Sequence, residues 1–107
     1  MNSIDKVLEI VKKIKSNELG IITGAKQLVE FRDYFIANPS GSKLSYDDLA
    51  LFFSIEFEAK GLPVNGDERK NWGEEALKIK DEEIKKIEEK YSEQVSHLCE
   101  EIIKKLE

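Results

Sequence analysis

Arg32 and Glu56 are the charged side chains whose placement in this 107-residue sequence could matter most chemically, because the chain has only two arginines and both residues fall on apolar helical faces. Counted at about 100° per residue, Ile21, Ala25, Leu28, Val29, Phe35 and Ile36 form an arc centred on Arg32. Leu49, Phe52, Phe53, Phe57 and Ala59 form a second arc with Glu56 near its centre. Both charges are therefore expected to point inward. An unpaired buried charge is strongly unfavourable, so the two are expected to satisfy each other as a buried or partly buried ion pair. Such a pair either fixes helix register or supplies a polar point at a pocket or interface. A hydrolytic or ligand-binding cleft would need Glu56, Arg32 and a further group such as Asp81 to converge at an opening to solvent.

The other candidates for chemistry are weaker. His97 is the only histidine and Cys99 the only cysteine. They lie two residues apart on different faces of a helix, which does not build a nucleophile–base pair. One cysteine and one histidine also fall short of a structural zinc site. Asn65-Gly66-Asp67-Glu68 resembles the start of a calcium loop but lacks the regular acidic positions and the closing Glu. Gly20 and Gly24 lack the Gly-Lys-Ser/Thr ending of a phosphate loop, and close helix packing explains them better. The reading is of a protein without catalytic residues, metal or cofactor.

What remains is a set of acids with two aromatic side chains: Tyr46, Asp47, Asp48, Glu58, Asp67, Glu68, Trp72, Glu74 and Glu75. If the loops on either side of the third helix meet, these residues form a negative patch with Tyr46 or Trp72 as an anchor for a basic protein partner. The same acids also suit helix N-termini, so a purely local role accounts for them equally well.

The elements that would carry these side chains are helical. Ser3 caps a first helix whose Ile4, Val7, Leu8, Val11 and Ile14 repeat at spacings of three and four, ending near Ser16-Asn17. A second helix runs from about Ile21 to Ala37 and stops at Asn38-Pro39-Ser40-Gly41-Ser42. Ser45 or Asp47 caps the third helix, which ends at Gly61 and Pro63. Apolar residues nearly encircle it, so it should be the central element. Residues 61–73 form a loop with a helical turn at about Asp67–Asn71. From Glu74 one long helix reaches almost to the end of the chain, with Leu77, Ile84, Tyr91 and Leu98 at seven-residue intervals. At about 1.5 Å per residue it spans close to 50 Å, so part of it protrudes or bends. The stretch from Glu74 to Lys90 is poorer in large apolar groups than the rest. The expectation is an all-α single domain over residues 1–107, a small bundle of four main helices with a long C-terminal helix.

Composition agrees. Charged residues make up 36% of the chain, with two prolines and six glycines, as in helical proteins rich in Lys and Glu. The net charge of −5 argues against direct nucleic-acid or anionic-membrane binding. Residues 46–75 hold eight acids and three bases, whereas residues 1–45 hold five acids and seven bases, so the acidic field lies mid-chain. A lone cysteine, alternating charges at the N-terminus and no membrane-length apolar run point to a cytoplasmic protein. The interrupted heptads suggest a monomer or weak homodimer.

The run from Gly24 to Arg32 (GAKQLVEFR), Phe57 to Pro63 (FEAKGLP), and Arg69-Lys70-Asn71-Trp72 followed by Ala76-Leu77 and Lys80-Asp81 resembles small helical bacterial domains. Among them are the immunity proteins of contact-dependent growth inhibition systems. The resemblance covers roughly residues 20–90. It implies a small, acidic, non-enzymatic cytosolic protein that binds one cognate basic toxin domain, often a nuclease, and occludes its active site or substrate surface. It does not assign the contacting residues. The competing expectation is a helical adaptor that docks through its C-terminal helix at Tyr91, Val95 and Leu98.

Overall fold

The structure, a computed structural model, describes residues 3–37, 43–64 and 66–107. The protein is all-α. Its helices are α1 (Ser3–Lys15), α2 (Ile21–Leu28), α3 (Arg32–Ala37), α4 (Tyr46–Glu58), the short α5 (Gly66–Arg69) and α6 (Glu74–Leu106). The expected Asn38–Ser42 loop lies outside the described residues.

α1 buries Val7, Val11 and Ile14, and Asn17 turns the chain after it with a positive φ of 65°. α2 packs against α1, α4 and α6, and α4 packs against α2, α3 and α6, so the two helices together join the others. Gly24 lets α2 approach α1: a Cβ built on it would lie 2.4 Å from Cδ1 of Ile14. Close packing was the expected role of this glycine. α4, expected to be nearly encircled by packing, leaves one edge open to water. Leu49, Phe52, Phe53 and Ile55 are buried, whereas Phe57 is 72% exposed.

Between α2 and α3 the helix tightens into a 3-10 turn over Val29–Phe31. Three residues at about 120° each, against about 100° in an α-helix, advance the phase by about 60°. Phe35 then takes the position that uninterrupted α-helix would give Arg32. Phe35 is 1% exposed, Ile36 is turned out to 56%, and Arg32 is exposed. The expected inward Arg32 is thus corrected, and with it the buried pair. Glu56 is only half-buried, no ion pair joins it to Arg32, and no polar or charged side chain among the described residues is buried.

Ser45 precedes α4, with its backbone N–H donating to the Asp48 carboxylate at 2.8 Å and its hydroxyl to the same oxygen at 3.2 Å. This is one half of a capping box, in which the N3 acid satisfies the cap's own N–H. Gly61, with φ of +84°, turns the chain out of α4, and Leu62 and Pro63 fold back into the core. α6 runs antiparallel to α1 and α4. Lys12 pairs with Glu107 and Lys15 with Glu100, while Lys105 reaches Asp48 and Lys90 reaches Glu58. Only Val95, Cys99 and Ile102 of α6 are buried, and the longest dimension of the molecule is 47 Å.

Candidate functional site

The acidic and aromatic residues separate into two groups, because α4, Tyr46–Glu58, places its ends about 18 Å apart at about 1.5 Å per residue. At its N-terminal end, Tyr46 packs against Phe53 with the rings tilted by 51° and their centroids 5.1 Å apart. Asp48 is held by Ser45 and by Lys105 at 2.7 Å. Partial burial raises the pKa of Asp48, but the Lys105 and Ser45 hydrogen bonds outweigh it and hold the carboxyl below its ordinary value. Tyr46 and Asp48 are thus engaged inside the fold, and Asp47 alone of the three is exposed. The single patch expected from the sequence is corrected to two ends of one helix.

The second group runs from the C-terminal end of α4 through α5 to the start of α6. Glu58, Asp67, Glu68, Glu74 and Glu75 are exposed there, and Trp72 is half-buried. Glu58 accepts a 2.5 Å hydrogen bond from the Tyr91 hydroxyl and a 3.2 Å bond from Lys90. The Tyr91 bond, then the Lys90 bond, lower the Glu58 pKa, and the Glu58 bond raises that of Lys90. Trp72 carries the Lys80 ammonium 5.6 Å from its ring. Asp67 pairs with Lys70 at 3.4 Å, both largely in water, where such a pair contributes little.

α5 is fastened by a contact that the sequence did not reveal. Arg69 forks onto Asp81 at 2.6 and 3.1 Å and also donates to the Pro63 carbonyl at 3.2 Å. The Arg69 hydrogen bond lowers the Asp81 pKa and the same bond raises that of Arg69. The only textual signal was the second arginine, placed twelve residues before an acid. Asp81 is thereby removed from any cleft with Arg32 and Glu56, and none of these three lines the cavities found at this end.

Two cavities do meet here across Gly61 and Leu62. The larger, about 570 Å³, lies between the end of α4 and α6, with Lys60, Lys80, Lys86 and Ile87 on its walls. The smaller, about 240 Å³, is bounded by Lys26, Pro63, Glu68, Asn71 and Trp72. In the sequence Gly61 and Pro63 mark the end of the third helix and the start of a loop, with no sign of a cavity. A third cavity of about 240 Å³ beside Ile14, Lys15, Val95 and Cys99 sits over the core. Cys99 is wholly buried, and loss of solvation pushes its thiol up to about 11, so it is a packing residue at neutral pH. His97 is exposed on the same helix.

Among the described residues, no group of three His, Cys, Asp or Glu side chains could hold a metal ion, and no helix is long and apolar enough to cross a membrane. Comparison with protein-family models, curated proteins and solved structures finds no match to this chain.

Proposed function

We propose that this chain is an immunity protein that binds a cognate bacterial toxin domain one to one and occludes its active site or substrate surface. The observation that carries the reading is the end of the molecule where Glu68, Glu74 and Glu75 stand exposed beside half-buried Trp72. Carboxylates around an amphipathic ring suit a basic surface made to hold a nucleic-acid phosphate backbone, as a nuclease toxin would have. Opposite fields speed the encounter, and the indole supplies apolar contact area. Tyr46 and Asp48 are left out of this surface because the fold already uses them.

Coexpression with the product of the adjacent upstream gene tests the reading. A stable complex and restored growth are expected, and a soluble pair of proteins without complex or rescue would overturn it. Reversing the charge of Asp67 and Glu68 is expected to slow association while leaving stability within about 0.5 kcal/mol of the parent, since both are exposed. An unchanged on-rate would move the interface elsewhere.

The adaptor reading takes a different form from the one the heptad stripe suggested. Val95 is 2% exposed, and Tyr91 and Leu98 pack against the core, so those three residues are consumed within the fold. The stretch of α6 left open to a partner is Glu74–Lys90, where Ile79 is 62% exposed.

A further inference from the structure

We propose that the open edge of α4 is a two-fold contact between copies of this chain, with the α4 helices of the two copies packed antiparallel. At about 100° per residue, Asp47, Ala50, Ser54 and Phe57 fall within about 80° of one another and form one stripe along the helix. Asp47, Ser54 and Phe57 are exposed and Ala50 is half-buried. Phe57, at 72%, is the most exposed large apolar side chain among the described residues. The core gains nothing from it, and its neighbours on the stripe are small. A large side chain beside small ones on one face is the shape of a knob next to its own hole.

Self-complementarity decides the occupant. A two-fold axis midway between Phe53 and Ser54 sets Phe57 over the partner's Ala50 and Ala50 under the partner's Phe57. The Ser54 side chains meet beside the axis, where their small size lets the backbones come within the roughly 8–10 Å of packed helices. The same register sets Lys60 opposite the partner's Asp47, twice in each dimer. Neither charge is used within the chain: Asp47 and Lys60 have no ion pair among the described residues, and the Lys60 ammonium lies 5.7 Å over the Phe57 ring, at the rim of the stripe. A parallel arrangement would bring like charges together and is disfavoured. An unrelated partner would have to supply a cation, an anion about 20 Å away and a small residue between them, whereas a second copy supplies all three by symmetry. One contact between two 13-residue helices buries less than the roughly 1,200–2,000 Å² of stable complexes, so the association is weak and reversible. Glu68, Trp72, Glu74 and Glu75 take no part in it.

Sedimentation equilibrium of the full-length protein at low salt, from about 20 μM to about 2 mM, tests the contact, because weak interfaces of this size populate the dimer only at high concentration. A dimer is expected in the upper part of that range, and a monomer throughout would overturn the proposal. Phe57→Ala removes an exposed side chain, so helicity by circular dichroism should be unchanged while the dimer Kd rises at least about tenfold. Asp47→Lys and Lys60→Asp should each abolish association alone, since each sets like charges opposite each other. An equimolar mixture of the two should associate again, because every lysine at these positions then faces an aspartate. Unchanged association in Phe57→Ala, or a mixture no more associated than its components, would place any dimer on another surface and overturn the proposal.

Discussion

From Tyr91 onward, α6 sets Val95, Cys99 and Ile102 into the core at 2, 0 and 1% exposure, whereas from Glu74 to Lys90 no side chain is buried and Ile79 is 62% exposed. One unbroken helix thus serves two purposes. The C-terminal half lies along α1 and carries the packing. The N-terminal half is held by partly buried Ile84 and Ile87, which touch the edge of the core, and by polar ties to other elements: Arg69 to Asp81, and Lys90 with the adjoining Tyr91 to Glu58. All these groups touch water, and exposed ties add little to stability. Segments with few buried apolar contacts open at low free energy, and binding surfaces are often drawn from them. Both the exposed acids and the larger cavity sit beside this half.

The contrast is broken most directly by truncating one isoleucine in each half. Ile102→Ala removes a side chain that is 1% exposed and should cost about 2–5 kcal/mol in denaturant unfolding. Ile79→Ala should stay within about 0.5 kcal/mol of the parent, because its side chain is already largely in water. Equal losses at the two positions would mean that the N-terminal half is packed against something as firmly as the C-terminal half.

Acid should loosen the two halves unequally. Hydrogen bonds from Tyr91 and Arg69 hold Glu58 and Asp81 below their ordinary pKa values. A depressed carboxylate contributes stability that is complete above its unfolded pKa, near about 4, and is lost as pH falls through the lower folded value. The C-terminal half also has such ties, with the Lys15 hydrogen bond lowering the Glu100 pKa and Lys105 and Ser45 holding Asp48. It keeps its apolar contacts when those carboxylates are protonated. Amide hydrogen exchange corrected for intrinsic rates should therefore show protection vanishing over Glu74–Lys90 before Val95–Ile102 as pH drops below about 4. Simultaneous loss along the whole helix would refute an unequal division.

The helices themselves were legible because apolar spacing of three and four is a local signal. That signal gave α1, the long α6, the Ser45 start and Gly61 end of α4, and the sparse character of Glu74–Lys90. It also gave Gly24 its packing role. It could not show which acids would be consumed by long-range partners. Asp48 meets Lys105 across 57 residues and Glu58 meets Tyr91 across 33, and nothing local distinguishes them from Glu74 or Glu75. The cavities were hidden for the same reason, since Lys26, Lys60 and Lys86 come from three separate stretches of chain. Periodicity also assumed one helical pitch from Ile21 to Ala37, and the 3-10 turn at Val29–Phe31 breaks that assumption.

Arg32 gives the smallest expected effect and the most direct check of that turn. An uninterrupted helix would aim its guanidinium into the core, where removing it would strand Glu56 and cost about 3–5 kcal/mol, as for a broken buried pair. The turn instead gives the inward position to Phe35, leaving Arg32 exposed and Glu56 half-buried without it. Arg32→Ala should then change unfolding stability by no more than about 0.5 kcal/mol, as Ile79→Ala does, although the residue sits between two core-bearing helices. A loss of several kcal/mol would mean that the helix is continuous and that the charge does face inward. Position in the chain would then have little to do with which segments are tied to the core, whereas a near-zero change extends the rule seen along α6: apolar burial, and not charge pairing, decides what this fold holds fast.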